Sequence, residues 1–572
     1  MKEKKGIQHN SNLKLKLITE IAQLKKVIHD PILLGAIVTV LTIVTMFIVF
    51  PLSNILKESF IYEDKFSVHH YTEIYRLKYN LDIILNTLKL GITVSVLSTI
   101  IGFTFAYASA YVRIKYKKVL NAVAILPIIS PPFVIGLSAI LLFGRIGLIS
   151  KGIFGMDNAN IYGFKGLVLV QVLTFFPVAY LVMVGLLQQI DPSVEEASRD
   201  LGASRWKVFT SITLPLMAPG IANASLLVFI QSVADFGNPM VIGGNYTTMA
   251  VQIYMQGIGS LDMSGATALA IILLLISVSA FLTQKFYLGK KSYVTVTGKV
   301  SRQRELIDEP KIVKPLSLSI LLISLFVGLM YILIPIGSFI KLWGVDYSLT
   351  LDHYKYVMNI GIKPIVDTLK LALVATPITG ILSMVIAFLI VRKKFIGRGY
   401  IDFTTMLSIA IPGTVIGLGY VITYNKSPLV LTGTGLILII AFVMRSMPVG
   451  IRSGMASLQQ IDPSIEEAAN VLGASSKKVF TSVTLPMIRP AFFSGLVYAF
   501  ARSMTLVSTI IFLVSAKYSL LTVTTMSQID QGRIGVASVY STILIIIVGS
   551  VIALMKFGLT KMGVSSGDVE IT

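Results

Sequence analysis

Stretches of about twenty mostly apolar residues recur along the chain, and a helix of that length crosses the roughly 30 Å hydrocarbon layer of a bilayer. Such runs lie near 31–52, 82–111, 118–144, 164–188, 213–234 and 264–288. A second set lies near 315–340, 365–391, 400–424, 434–456, 484–513 and 536–560. The spacing predicts an all-α polytopic membrane protein of about twelve transmembrane helices, embedded in the lipid bilayer. With 54% hydrophobic and 13% charged residues, the composition lies far from that of soluble domains. Residues 1–30 are polar and dotted with lysine, and the apolar run that follows is long enough to remain as the first span, so no cleavable signal peptide is expected.

A net charge of +21 would point to nucleic acid in a soluble protein, but here the cations cluster on alternate loops. Lys2, Lys4, Lys5, Lys14, Lys16, Lys25 and Lys26 precede the first span; Arg113, Lys115, Lys117 and Lys118 follow the second; Arg392, Lys393, Lys394 and Arg398 follow the eighth. Lys285, Lys290, Lys291, Lys299, Arg302 and Arg304 lie midway. The positive-inside tendency puts these segments, and both termini, in the cytoplasm, with residues 53–81 and 235–263 outside. Basicity is thus a topological signal, and no nucleic-acid partner is expected. The chain has no cysteine, which excludes disulfides, thiolate metal sites and cysteine nucleophiles.

Six crossings return the chain to its starting side, so the second half is expected to repeat the first in parallel orientation. NTLKLGITVS at 86–95 echoes DTLKLALVAT at 367–376, and PPFVIGL at 131–137 echoes IPGTVIGL at 411–418. The division is a tail at 1–30, a first module at 31–288, a linker at 289–314 and a second module at 315–572.

The strongest repeat is polar. Residues 188–215 and 459–486 are identical at 21 of 28 positions by direct count. Each copy reads as a short helix, a glycine stop and a second helix. Asp191, Pro192 and Ser193 start the first, Ser193 with Glu196 and Ser464 with Glu467 have capping-box spacing, and Gly202 and Gly473 fit a left-handed stop. Val194, Ala197 and Leu201 share one helical face, as do Ile465, Ala468 and Leu472. A solvent-facing hairpin kept for topology would not need such identity, and a DNA-binding helix-turn-helix is disfavoured by the adjacent spans.

This pattern, E-A-x-x-x-x-G followed by I-x-L-P, resembles the EAA loop of permease subunits of binding-protein-dependent ABC importers. Glu196, Ala197, Gly202, Ile212, Leu214 and Pro215 fit, as do Glu467, Ala468, Gly473, Leu485 and Pro486. Ser198 and Val483 depart mildly from the pattern. The resemblance implies a type I importer permease fold with two modules fused in one chain of a bacterial cytoplasmic (inner) membrane. It also implies two copies of an ATPase subunit docked on the loops through Glu195, Glu196, Ala197, Gly202, Glu466, Glu467, Ala468 and Gly473, and a separate extracytoplasmic solute-binding protein. ATP and Mg would belong to the ATPase, because Gly298-Lys299 and Gly289-Lys290 lack the other glycine of a Walker A loop. No cofactor and no catalytic constellation are expected in this chain.

Polar side chains within a bundle mark substrate routes, since exposing them to lipid is costly. Gln231, Asp235, Asn238, Arg445, Arg502, Ser503, Thr505 and Ser508 are the candidates; the competing expectation, open for Arg445, is that each pairs with a neighbour or snorkels. ADFGNP at 234–239 and RSMTLVSTIIFLVS at 502–515 resemble stretches of fused ferric-iron and 2-aminoethylphosphonate permeases. The fused layout favours ferric iron, ahead of phosphonate, thiamine and polyamines. A proton-driven secondary transporter also has parallel six-helix halves, but it would show carboxylates within its spans and would not need paired EAA loops. FSVHHY at 66–71 and SLTLDHY at 348–354 are candidate docking segments for the binding protein, their histidines read as structural rather than as iron ligands.

Overall fold

The structure, a computed structural model, describes residues 30–288 and 304–561. The tail at 1–29 with its lysines, and Lys290, Lys291, Lys299 and Arg302 of the linker, lie outside the described residues, as does the glycine-lysine pair at 298–299.

Among the described residues, ten helical segments are long and apolar enough to cross a bilayer, and two further candidates are sharply bent pairs. The first six are Pro31–Glu58, Lys78–Tyr111, Phe133–Ile153, Phe164–Gln189, Arg205–Val233 and Met263–Tyr287. The second six are Pro310–Phe339, Ile362–Arg392, the pair Arg398–Ala410 with Gly413–Tyr424, Gly435–Gln459, the pair Lys477–Met487 with Arg489–Thr505, and Ile534–Gly558.

Three spans differ from the sequence reading, each where proline removes a backbone donor. The run at 118–144 is two helices, Lys117–Ile129 and Phe133–Phe143, parted at Pro131 and Pro132. The run at 400–424 bends by 112° at Pro412, and the run at 484–513 bends by 81° between Pro486 and Pro490 and ends its helix at Thr505. The linker is also shorter than 289–314, because the seventh span starts at Pro310.

In each half the second span packs along the fourth and the fifth. Small residues permit the approach: Gly102 lies against Ala179 and the backbone of Tyr180, and Gly454 against Ala387. The halves are interlocked by exchange of their first spans. Tyr420 of the ninth span donates from Oη to the Phe47 carbonyl at 2.9 Å, and Asn54 donates to Thr423 Oγ1 at 3.0 Å. Reciprocally, Ser138 of the third span donates to the Met330 carbonyl at 2.6 Å, and Trp343 Nε1 to the Leu141 carbonyl at 2.9 Å.

The same hand-off follows the first span of each half. A two-stranded antiparallel hairpin, Ile61–Tyr62 with Lys65–Phe66 or Ile340–Leu342 with Asp346–Leu349, leads into a short helix. His70 Nε2 donates to the Ile61 carbonyl at 3.1 Å and His353 Nε2 to the Ile340 carbonyl at 3.0 Å. Tyr71 and Tyr354 bond Ser59 and Ser338, both at 2.8 Å. These histidines hold the hairpins, in keeping with their structural reading.

The segments after the fifth and eleventh spans do not stay outside the bundle. Asp235, Phe236, Gly237 and Asn238 are buried, as are Leu506, Val507, Thr509 and Ile510. Gly417, of the repeated VIGL, faces this second segment so closely that a Cβ would fall 2.6 Å from the Thr509 carbonyl oxygen and 2.8 Å from the Phe512 ring. Gly417→Ala is therefore expected to destabilise by about 1–3 kcal/mol through overpacking, whereas Gly35→Ala, which meets nothing within 4 Å, should not lower stability. Thermal unfolding of the two purified variants in detergent measures the difference.

Candidate functional site: two repeated loops and two helix breaks

Each polar repeat folds as the local chemistry dictates. The first helix runs Pro192–Asp200 in one copy and Ser464–Val471 in the other, and Gly202 and Gly473 then take φ of +85° and +82°. Ser204 and Ser475 cap the second turn, accepting from the Lys207 and Lys478 amides at 3.3 and 3.4 Å. The opening cap is Asp191, whose carboxylate accepts from Ser193 N at 3.0 Å; Ser193 lies inside the helix, so the expected capping box gives way to an aspartate cap. Asp462 does the same through Ser464 N at 2.9 Å, a backbone bond that holds its carboxyl below the usual carboxylate range.

The adjacent glutamates face opposite ways. Glu195 and Glu466 are buried, while Glu196 is half-buried and Ala197, Glu467 and Ala468 are exposed. Glu466 Oε1 accepts from Arg392 Nε at 3.1 Å and from Thr484 Oγ1 at 3.1 Å, and Arg392 Nη2 also donates to the Leu458 and Ile461 carbonyls. Glu195 accepts from Tyr111 Oη at 2.9 Å, from Thr213 Oγ1 at 2.5 Å and from Arg304. The inner glutamates therefore pin each loop to the bundle, and the outer ones face away from it with the apolar residues. Leu201 is 90% exposed and Leu472 88% exposed.

The membrane-depth candidates form two stations, one per half. At the first, Asp235 accepts from Gln171 Nε2 at 2.9 Å, Asn238 Nδ2 at 2.8 Å and Gly237 N at 3.1 Å, and Ser232 donates to Gln171 Oε1 at 2.5 Å. Asn238 is buried with its Oδ1 unpartnered, and Gln231, next to Ser232 in sequence, is half-buried. Sequence reading missed Gln171 and Ser232; a glutamine in the middle of a span was the available signal.

At the second station Arg445 Nη1 donates to the Ser408 and Ile411 carbonyls, both at 2.8 Å, where the ninth span bends at Pro412. Arg445 thus pairs with a neighbour, while its Nε stays buried and unpartnered. Arg502 lies within Coulombic reach of Arg445. Ser503 Oγ is also buried without a partner, Thr505 bonds back to the Ala501 carbonyl at 2.9 Å, and Ser508 lies against Gly413. Among the described residues, no three His, Cys, Asp or Glu side chains gather into a metal-binding group.

A multi-pass helical protein whose two halves share spans, outer hairpins and a pinned polar loop is a fused pair of permease modules. Residues 98–290 and 379–558 each match the family described as the binding-protein-dependent transport system inner membrane component, and the chain belongs to that family. It is 38% identical over 542 residues to the ferric transport system permease protein FbpB of Actinobacillus pleuropneumoniae, covering 93% of this chain and 79% of that relative. It is 24% identical over 488 residues to the Fe(3+)-transport system permease protein FbpB 2 of Haemophilus influenzae, covering 83% and 89%. The molybdenum transport system permease protein ModB of Escherichia coli matches a shorter part, 33% identical over 165 residues, or 28% of this chain and 71% of ModB. Membership makes this a multi-pass inner-membrane permease subunit.

Removing one member of a buried ion pair leaves the other charge uncompensated, at a cost of about 3–5 kcal/mol. Glu466→Ala should lose stability on that scale, because Arg392 stays buried, whereas Glu467→Ala should change it by no more than about 0.5 kcal/mol. Paired thermal or denaturant unfolding curves test the contrast.

Proposed function

We propose that this chain forms the translocation path of an ATP-driven importer and that its cargo is ferric iron, received from an external binding protein. The observation that carries the cargo is the 38% identity to the Actinobacillus FbpB over 93% of the chain. In this reading the two repeated loops lie on the cytoplasmic side, as do both termini, and each seats on one of two ATPase subunits. Glu196, Ala197 and Gly202, with Glu467, Ala468 and Gly473, make the contact, and Glu195 and Glu466 hold the contact surface in place. ATP, which binds the partner pair and favours its closed form, draws the loops together and shifts the halves between inward-facing and outward-facing states. The outer hairpins receive the binding protein.

The two helix breaks supply the intramembrane path. Arg445 and Arg502 give the second station a positive character, which suits iron escorted by an anion better than a bare trivalent cation. The same charge favours an anionic phosphonate as the second reading.

Reconstitution in lipid with the ATPase subunits provides the test. A binding protein loaded with ferric iron should stimulate ATP hydrolysis and iron entry, whereas stimulation by a 2-aminoethylphosphonate-loaded protein alone would transfer the assignment. Accumulation by the chain alone, driven only by an ion gradient, would remove the ATP-driven reading altogether. The double substitution Glu196→Lys with Glu467→Lys should abolish uptake while leaving the purified protein's thermal transition unchanged, both side chains lying on the outward side of the loops.

A further inference from the structure

The two repeats hold their inner glutamates with an arginine from different places. In the second half that arginine is Arg392, the last residue of the eighth span. Aligning NTLKLGITVS with DTLKLALVAT puts Tyr111 at the matching position, and Tyr111 is likewise the last residue of the second span. The backbones agree, since the residues that follow, Val112 and Lys393, have φ of −113° in both cases and ψ of 141° and 140°. Tyrosine cannot supply a positive charge, yet Glu195 is as buried as Glu466. Its guanidinium comes from Arg304, at the end of the segment joining the two modules.

The replacement reproduces the bonding pattern. Arg304 Nη1 pairs with Glu195, and its Nη2 donates to the Ile190 carbonyl at 2.9 Å. Arg392 takes Glu466 and the carbonyl of Ile461, the residue matching Ile190. Arg304 is oriented by stacking on the very tyrosine that stands where the arginine is missing, 3.7 Å from guanidinium carbon to ring centroid. The residues after it are fastened too. Ile307 is buried, donates to the Tyr111 carbonyl at 2.7 Å and accepts from Arg113 N at 3.1 Å, forming a bridge beside Val112. Glu309 meets Arg205, inside the first loop, at 2.6 Å.

We propose that Arg304 is a positioning residue of the first coupling loop, so that the inter-module linker, delivered with the second module, sets the geometry through which the first module engages its ATPase. The proposal rests on the coupling role given above to the loops, and the experiment separates the two. The full chain is reconstituted with its ATPase subunits and a ferric-iron-loaded binding protein, and iron imported per ATP hydrolysed is measured. Arg304→Ala and Arg392→Ala should each lower that ratio by about tenfold. Adding Tyr111→Arg to Arg304→Ala rebuilds the second-half arrangement in the first half and should restore the ratio, which a general loss of packing would not permit. If Arg304→Ala fails to fold, Arg304→Lys, which keeps the charge but not the two-pronged contact, takes its place. A normal ratio in the Arg304 variant beside a lowered one in Arg392→Ala overturns the linker's role alone. A lowered ratio that Tyr111→Arg does not restore overturns it as well, and normal ratios in both single variants overturn the positioning role of Arg304 and Arg392 alike, whereas an unchanged ratio in Glu196→Lys with Glu467→Lys overturns the coupling role of the loops.

Discussion

A carbonyl freed by a broken helix inside a bilayer has no water to turn to, and this requirement organises the membrane-depth part of the molecule. The ninth span bends at Pro412, and Arg445 answers by donating to the Ser408 and Ile411 carbonyls ahead of the bend. In the first half a run of two prolines makes the corresponding break, and the returning segment at 235–238 bonds instead to a glutamine of the fourth span. One half thus meets the break region with a guanidinium and the other with a carboxylate. The two halves share the break but not its chemistry, which leaves two unlike polar clusters at membrane depth.

The same economy operates at the polar loops. A buried ion pair is weak evidence of stability, because the cost of desolvating its members offsets their attraction, but breaking it leaves a charge stranded. Both loops use one glutamate as an anchor and turn the next outward, so the orientation of the outward face depends on a charge that lies beneath it. Threonine at the foot of the following span, Thr213 or Thr484, adds a further donor to each anchor.

Much of this was legible in the sequence. Long apolar runs can hardly be anything but spans, and a 28-residue polar repeat with helix caps and a glycine stop announces its own local fold. Direction was not legible. Glu195 and Glu196 are indistinguishable as letters, and which one turns inward depends on where Arg304 and Thr213 lie in space. Prolines marked the helix breaks, yet hydropathy sums apolarity without regard to bending, so 118–144 and 400–424 read as single crossings. The outer hairpins were hidden because strands of two to four residues carry too little alternation to register. Arg304 looked like one more cation in a basic segment, since its partner lies 109 residues away.

The exchange of first spans bears on how the protein is made. When the first six spans have emerged from the ribosome, the face of the third span around Ser138 and Leu141 still lacks its cover, because that cover is the seventh span and the Trp343 that follows it. The leading half is therefore an unfinished object during synthesis, completed only by chain that has yet to be translated. Fusing the halves guarantees that the missing piece arrives tethered, one linker away, rather than by collision in the plane of the membrane.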